Sequence, residues 1–266
     1  MSLMTRIAAA VAMLFAMFAT AAYAAPDDAT FDRLLARYVV AGDDGVNRVN
    51  YAAWKANAAD RKALNTYVSG LEKTAISKLS RNEQFAAWAN LYNAVTLQVI
   101  LDRHPVKSIR DIKSTGTLDL VKAAAGPWAT KRVTVEGKKL SLDDIEHGIL
   151  RATYKDPRVH YAVNCASYGC PNLPRKAWRA ATLSADLDAA AREYVNHPRG
   201  AMVMGGSLEV SSIYKWFKAD FGGNDAGVIA HLKKYANPAL AGKLANISAI
   251  SGDDYSWALN DTGSNS

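Results

Sequence analysis

Cysteine is scarce, with two in 266 residues, Cys165 and Cys170. So few thiols exclude a disulfide-dense scaffold, and their spacing excludes both the C-x-x-C motif of thioredoxin-like exchange and the common zinc modules. Long apolar runs are nearly absent: one spans Ile7 to Phe18, and no second run of about 18 residues or more follows, so no stable membrane anchor is expected. No lipobox cysteine stands near the first run. Internal repeats, low-complexity tracts and linkers are missing too, which predicts a single domain. Basic clusters are also absent. The formal net charge is +7 and the pI about 9.3, but Lys and Arg are interspersed with acids, the pattern of a solvated mixed-charge surface, and no nucleic-acid partner is expected.

The first residues carry a leader. Arg6, the apolar stretch Ile7 to Phe18 and the small-residue signal Ala22-Tyr23-Ala24 are the three parts of a secretory signal peptide. Cleavage is expected after Ala24, leaving one domain over 25–260 and a loose polar tail over 261–266, in the periplasm or secreted from a Gram-negative-type envelope. Half the residues are apolar, enough for a substantial core.

Apolar spacing predicts a first helix through Phe31, Leu34, Leu35 and Tyr38, a short extended piece at Val46 to Tyr51, and a second helix from Trp54 to Leu71. The strongest signal is Ser80-Arg-Asn-Glu83, a capping box ahead of Phe85, Trp88, Tyr92, Val95 and Val99, closed by His104-Pro105. Asn90 and Asn93 sit three residues apart on that helix, on nearly one side. A hairpin is expected over 131–140, then a short helix through Ile145, His147 and Leu150. The alternation Val159, Tyr161, Val163 reads as a strand ending at Cys165. A helix over 184–196, two strands around Gly205-Gly206 and helices over 212–221 and 224–235 complete the chain. Helices outnumber short, hairpin-linked strands, so the fold class is α+β, helix-rich, with a small and mostly antiparallel sheet.

Three chemistries compete for the segment from His160 to Pro174. Cys165 is a candidate nucleophile, with His147 or His160 as its base and Asn90, Asn93 or Asn164 orienting that base or donating to an oxyanion. Alternatively Cys165 and Cys170 form a disulfide, which an oxidising compartment favours. Or His147, His160, Cys165 and Cys170 ligate a metal, although their spacing matches no common zinc module. Neither a cofactor nor a resident metal is expected. His104, His197 and His231 read as structural.

Several segments together resemble the DUF547 family. They are Val46-Asn-Arg-Val-Asn-Tyr51, Phe85-Ala-Ala-Trp-Ala-Asn90-Leu-Tyr92-Asn93-Ala94, Leu142 to Arg151 with Ile145-Glu146-His147 at its centre, Asp156 to Pro171, Ile213 to Phe221, and Asp254 to Asn260. The resemblance implies a distant relation to papain-like or transglutaminase-like thiol enzymes, in which the nucleophile opens the long core helix; here that helix carries no cysteine. Two functions are therefore expected to compete. One is an exported thiol hydrolase or acyltransferase acting on amide bonds of peptides or cell-wall components. The other is a non-catalytic binding or assembly module with a structural Cys165–Cys170 disulfide.

Overall fold

The computed structural model describes residues 27–113 and 126–263; the expected leader lies outside the described residues. Helix α1, Asp28–Tyr38, starts where the Asp27 carboxylate accepts from the Thr30 amide, and it buries Phe31, Leu34, Leu35 and Tyr38. Its chain continues into β1 (Val39–Ala41), which pairs antiparallel with β2 (Asn47–Val49). The single helix expected from Trp54 to Leu71 is two, α2 (Tyr51–Ala56) and α3 (Ala58–Lys73). Asn57 is the reason. Its backbone is extended, at φ −94° and ψ 95°, and its side chain accepts from the Asp60 amide, so one residue ends α2 and caps α3.

Helix α4, Arg81–Arg103, is the axis of the molecule. The expected capping box is present, with the Ser80 amide donating to the Glu83 carboxylate at 2.9 Å. Every residue from Phe85 to Leu97 is buried, so this helix is wrapped on all sides by its neighbours, α2, α3 and the helix that begins at Asp144.

The hairpin β3 (Val133–Val135) and β4 (Lys138–Leu140) leads to Ser141, whose amide and hydroxyl both donate to the Asp144 carboxylate, at 2.7 and 2.6 Å. A wider, π-type helix follows over Asp144–Arg151 and ends in one α-turn, α5 (Ala152–Tyr154). Such segments are rare and frequent at functional sites.

The strand expected at Val159 is instead a helical turn, α6 (Val159–Ala162), with extended backbone resuming only at Val163. Local capping overrides the alternation. The Asp156 carboxylate accepts from the Arg158 amide at 2.9 Å, and the amides of Val159, His160 and Tyr161 bond back to the carbonyls of Asp156, Pro157 and Arg158.

Helix α7 (Leu183–Val195) precedes a three-stranded sheet in which β5 (Ala201–Met204) pairs antiparallel and β7 (Gly252–Asp254) parallel with β6 (Ser207–Ser211). Helix α8 (Ser212–Trp216), a 3₁₀ turn at Lys218–Phe221, α9 (Asp225–Tyr235) and α10 (Pro238–Leu244) complete the chain. The sequence reading carries no expectation for Pro238–Leu244 or Gly252–Asp254. Helices with three small sheets among the described residues make the fold α+β.

Among the described residues two apolar clusters share the interior. One surrounds α4, and the other lies among α7, α9 and the three-stranded sheet. Helix α6 sits on the seam, with Val159 and Ala162 in the first cluster and Tyr161 in the second. The chain is held past residue 260: Asp261 meets His104 at 3.0 Å, and the Thr262 amide donates to the Val49 carbonyl. No helix among the described residues is long and apolar enough to cross a membrane.

Candidate functional site

The seam opens into a cleft enclosing about 180 Å³. One wall is the segment after α6, anchored to α4 by two asparagine clamps. The Asn93 side chain donates to the Ala162 carbonyl at 2.9 Å and accepts from the Asn164 amide at 2.9 Å. Asn90 does the same at Trp178, donating to its carbonyl at 3.0 Å and accepting from its amide at 2.9 Å. Both asparagines are buried and fully engaged with backbone, so each replaces a strand-like pairing that α4 cannot offer. Asn164 turns the next bend, donating to the Pro171 carbonyl and accepting from the Ala166 amide, which lets Ala166 hold φ 63°.

Cys165 and Cys170 close that bend as a disulfide, their Cα atoms 6.4 Å apart. The sulfurs are surrounded by donors: the Cys165 amide reaches the Cys170 sulfur at 3.0 Å, and the Tyr255 hydroxyl lies 3.2 and 3.1 Å from the two sulfurs. Ser167 adds a hydroxyl 3.2 Å from the Cys165 sulfur and 2.6 Å from that of Tyr255. Burial pushes the Tyr255 phenol far above its usual range, so it serves as a neutral donor. Cys170 is buried and Cys165 partly exposed to the cleft.

The opposite wall is the π-type helix. His147 lines the cleft and receives a hydrogen bond at Nδ1 from Arg151 at 3.2 Å, which leaves the ring proton on Nε2, 4.0 Å from Asp143. Burial, reinforced by the Arg151 charge, holds the His147 pKa down, so its ring is neutral near pH 7. Glu146 is nearly enclosed; burial raises its pKa above the usual carboxylate range, opposed by His160 and by the hydrogen bond from Tyr92. Burial raises that of Asp143 as well.

His160 lies under this wall. It is buried between Phe217, stacked at 4.3 Å, and Phe221, and its Nε2 meets the Asp220 carboxylate at 2.7 Å. Hydrogen bonds from His160 and Arg151 hold the Asp220 carboxyl well below the carboxylate range. The structure thus brings Cys165, His147 and His160 to one cleft, but neither imidazole hydrogen-bonds a sulfur: their partners are Arg151 and Asp220. Asn90 and Asn93 act at the backbone behind the wall, not at the sulfurs or the histidines. Among the described residues no group of three or more His, Cys, Asp or Glu could hold a metal ion.

Aromatic rings close the remaining sides. Trp257 lies 5.8 Å from Trp128, 5.6 Å from Trp216 and 4.8 Å from Tyr255, measured between ring centroids. Trp216 is half exposed at the rim. Tyr255 reaches the cystine because Gly169 has no side chain: its amide donates to the Ser256 carbonyl at 2.9 Å, and a Cβ there would stand 2.9 Å from the Tyr255 ring. In the sequence Glu146, Asp220, Tyr255, Trp216 and Trp257 stand out only as parts of the resemblance, with no role, and Trp128 lies outside its segments. An Ile-Glu-His triplet on a polar-apolar helix and a Tyr-x-Trp near the carboxyl end were the available signals.

Neither the curated proteins nor the solved structures hold a match to this chain, so the papain-like relation has no support from a solved fold. A family model described as protein of unknown function, DUF547, matches residues 76–195, which hold both asparagine clamps, the π-type helix and the cystine, while Asp220 and Tyr255 come from beyond it. Through that stretch the chain belongs to the DUF547 family.

Proposed function

We propose that the protein is exported to a Gram-negative-type envelope and works there as a binding module, its aromatic cleft holding an extended peptide or cell-wall component against a wall fixed by the Cys165–Cys170 disulfide. One observation carries this reading. The two sulfurs are bonded to each other and bedded on Ser167 and Tyr255, while the imidazoles that would activate a thiol are engaged elsewhere. A bridged sulfur has no thiolate to attack with. The leader at residues 1–24 suits the same reading, since an oxidising compartment keeps such a bridge. The aromatic lining gives apolar contact area and the carboxylates give orientation, which is the general make-up of a ligand site.

A second reading keeps Cys165 as the nucleophile of an amide hydrolase or acyltransferase, because it is partly exposed in the same cleft as His147. That enzyme would need the disulfide reduced and His147 released from Arg151. Intact mass of periplasm-purified protein after iodoacetamide without reductant separates the two. The binding reading expects no label in the denatured protein until a reductant is added. Rapid labelling of Cys165 alone in the native protein would overturn it and install the thiol enzyme.

A further inference from the structure

Several carboxylates elsewhere in this molecule have arginine or lysine partners. Asp60 is held by Arg33 and Arg37, Asp220 by Arg151, Asp225 by Lys218 and Asp253 by Lys215. The two that line the cleft do not. Among the described residues neither Asp143 nor Glu146 has an Arg or Lys nitrogen within 4.0 Å; each approaches His147, at 4.0 and 3.8 Å, whose ring is neutral near pH 7, while His160 and Arg151 act on Glu146, and Lys131 on Asp143, only from a distance. Glu146 keeps 12% of its side chain exposed and accepts a hydrogen bond from the Tyr92 hydroxyl. A nearly enclosed carboxylate with no cation bonded directly to it is costly. No Lys or Arg lines the cleft to offset it.

The rest of the lining is aromatic. Ring faces carry partial negative charge and attract cations within about 6 Å, and two walls already show it: Arg110 lies 5.2 Å from the Trp257 ring centre and Arg151 4.6 Å from that of Phe217. Rings from Trp216, Trp257, Tyr255 and Tyr92 with two carboxylates that no Lys or Arg contacts form a surface attractive to positive charge and repellent to anions. The enclosed volume of about 180 Å³ exceeds the ~150 Å³ cavity that takes benzene, which is room for an alkylated ammonium head and part of its stem.

We infer that the cleft recognises an organic ammonium group, with Glu146 and Asp143 as its counter-charges and the cleft aromatics as its cage. This deepens the binding reading and rests on it. An uncharged group of the same shape does not replace the ammonium, because the rings alone would accept either while the carboxylates distinguish them. Within the class, a primary amine would donate directly to the carboxylates, and a quaternary one would rely on the rings.

Tryptophan fluorescence of the oxidised protein, titrated with n-butylammonium, with choline and with choline's uncharged isostere 3,3-dimethyl-1-butanol, tests it. Saturable change is expected with at least one cation, and at least tenfold weaker binding of the isostere. Glu146→Gln should weaken cation binding about tenfold and leave the isostere unchanged; Asp143→Asn serves the same purpose should the first variant fold poorly by circular dichroism. Equal binding of the isostere, or no response to either cation, overturns the inference. A fully acetylated peptide mixture that saturates the cleft while both cations fail would overturn the ammonium assignment and leave the binding reading standing; if nothing binds, both fall.

Discussion

His231 shows how far one residue can be pulled from its usual chemistry. It lies on α9 among the rings of Tyr161, Tyr214, Phe221 and Tyr235, and its Nε2 is 2.7 Å from the Tyr161 hydroxyl. Burial lowers its pKa to about 4, helped by the charge of Lys234, while Asp156 pulls the other way. The unfolded chain, with an ordinary imidazole near 6.5, binds the proton more readily between pH 6.5 and 4. The folded state is therefore stabilised by this group above pH 6.5 and loses that contribution as pH falls toward 4. Between pH 7.5 and 5 the loss comes to about 2 kcal/mol. Urea unfolding at the two pH values should show the wild-type protein dropping by that much more than His231→Gln, which keeps a hydrogen-bonding group but cannot titrate; equal drops would mean that the ring is already solvated. Asn90 and Asn93 make the complementary point. Their side-by-side placement was readable from a spacing of three, yet their partners, the backbone of Ala162, Asn164 and Trp178, lie far along the chain and leave no local trace.

Elements governed by local rules were legible, and those governed by distant contacts were not. The capping box at Ser80 and Glu83, the hairpin at Gly205-Gly206 and the first helix follow from short-range chemistry. Helix α6 was misread because alternation over four residues is weaker than the turn that Asp156 and Pro157 start. Strand β7 was missed because Gly252-Asp253-Asp254 has no strand character of its own and pairs only because β6 is there to accept it. The crossing of the cystine loop by the carboxyl-terminal segment is of the same kind: the Tyr168 and Gly169 amides donate to the carbonyls of Ala258 and Ser256, and Gly169 permits the approach. Gly169→Ala would force Cβ against the Ser256 carbonyl and the Tyr255 ring, so the two segments must part. We expect a stability loss of about 1–3 kcal/mol, read from the urea midpoint, together with a changed near-ultraviolet circular dichroism signal from Tyr255 and Trp257. An unaltered spectrum at unaltered stability would show that the crossing is loose.

At the scale of the molecule, the family stretch 76–195 is not a closed unit. Helix α4 is buried along its middle, and α2 and α3, which precede the stretch, cover it with Tyr51, Trp54, Leu64 and Leu71. Tyr161 finds its hydroxyl partners at Tyr214 and His231, His160 finds its carboxylate at Asp220, and the cystine finds Tyr255, all after residue 195. Cutting at 76 and 195 would expose the long buried helix α4 and leave His160 and the Tyr161 hydroxyl without partners inside, each a substantial loss against the marginal net stability of any domain. Residues 76–195 expressed alone should therefore give a weak near-ultraviolet signal and a broad, non-cooperative urea transition, whereas residues 25–266 should unfold cooperatively. A sharp transition in the fragment would mean that the contacts from Asp220, Tyr255 and the first three helices decorate a core already complete, and that the aromatic cleft is an addition to the family's fold instead of part of what holds it together.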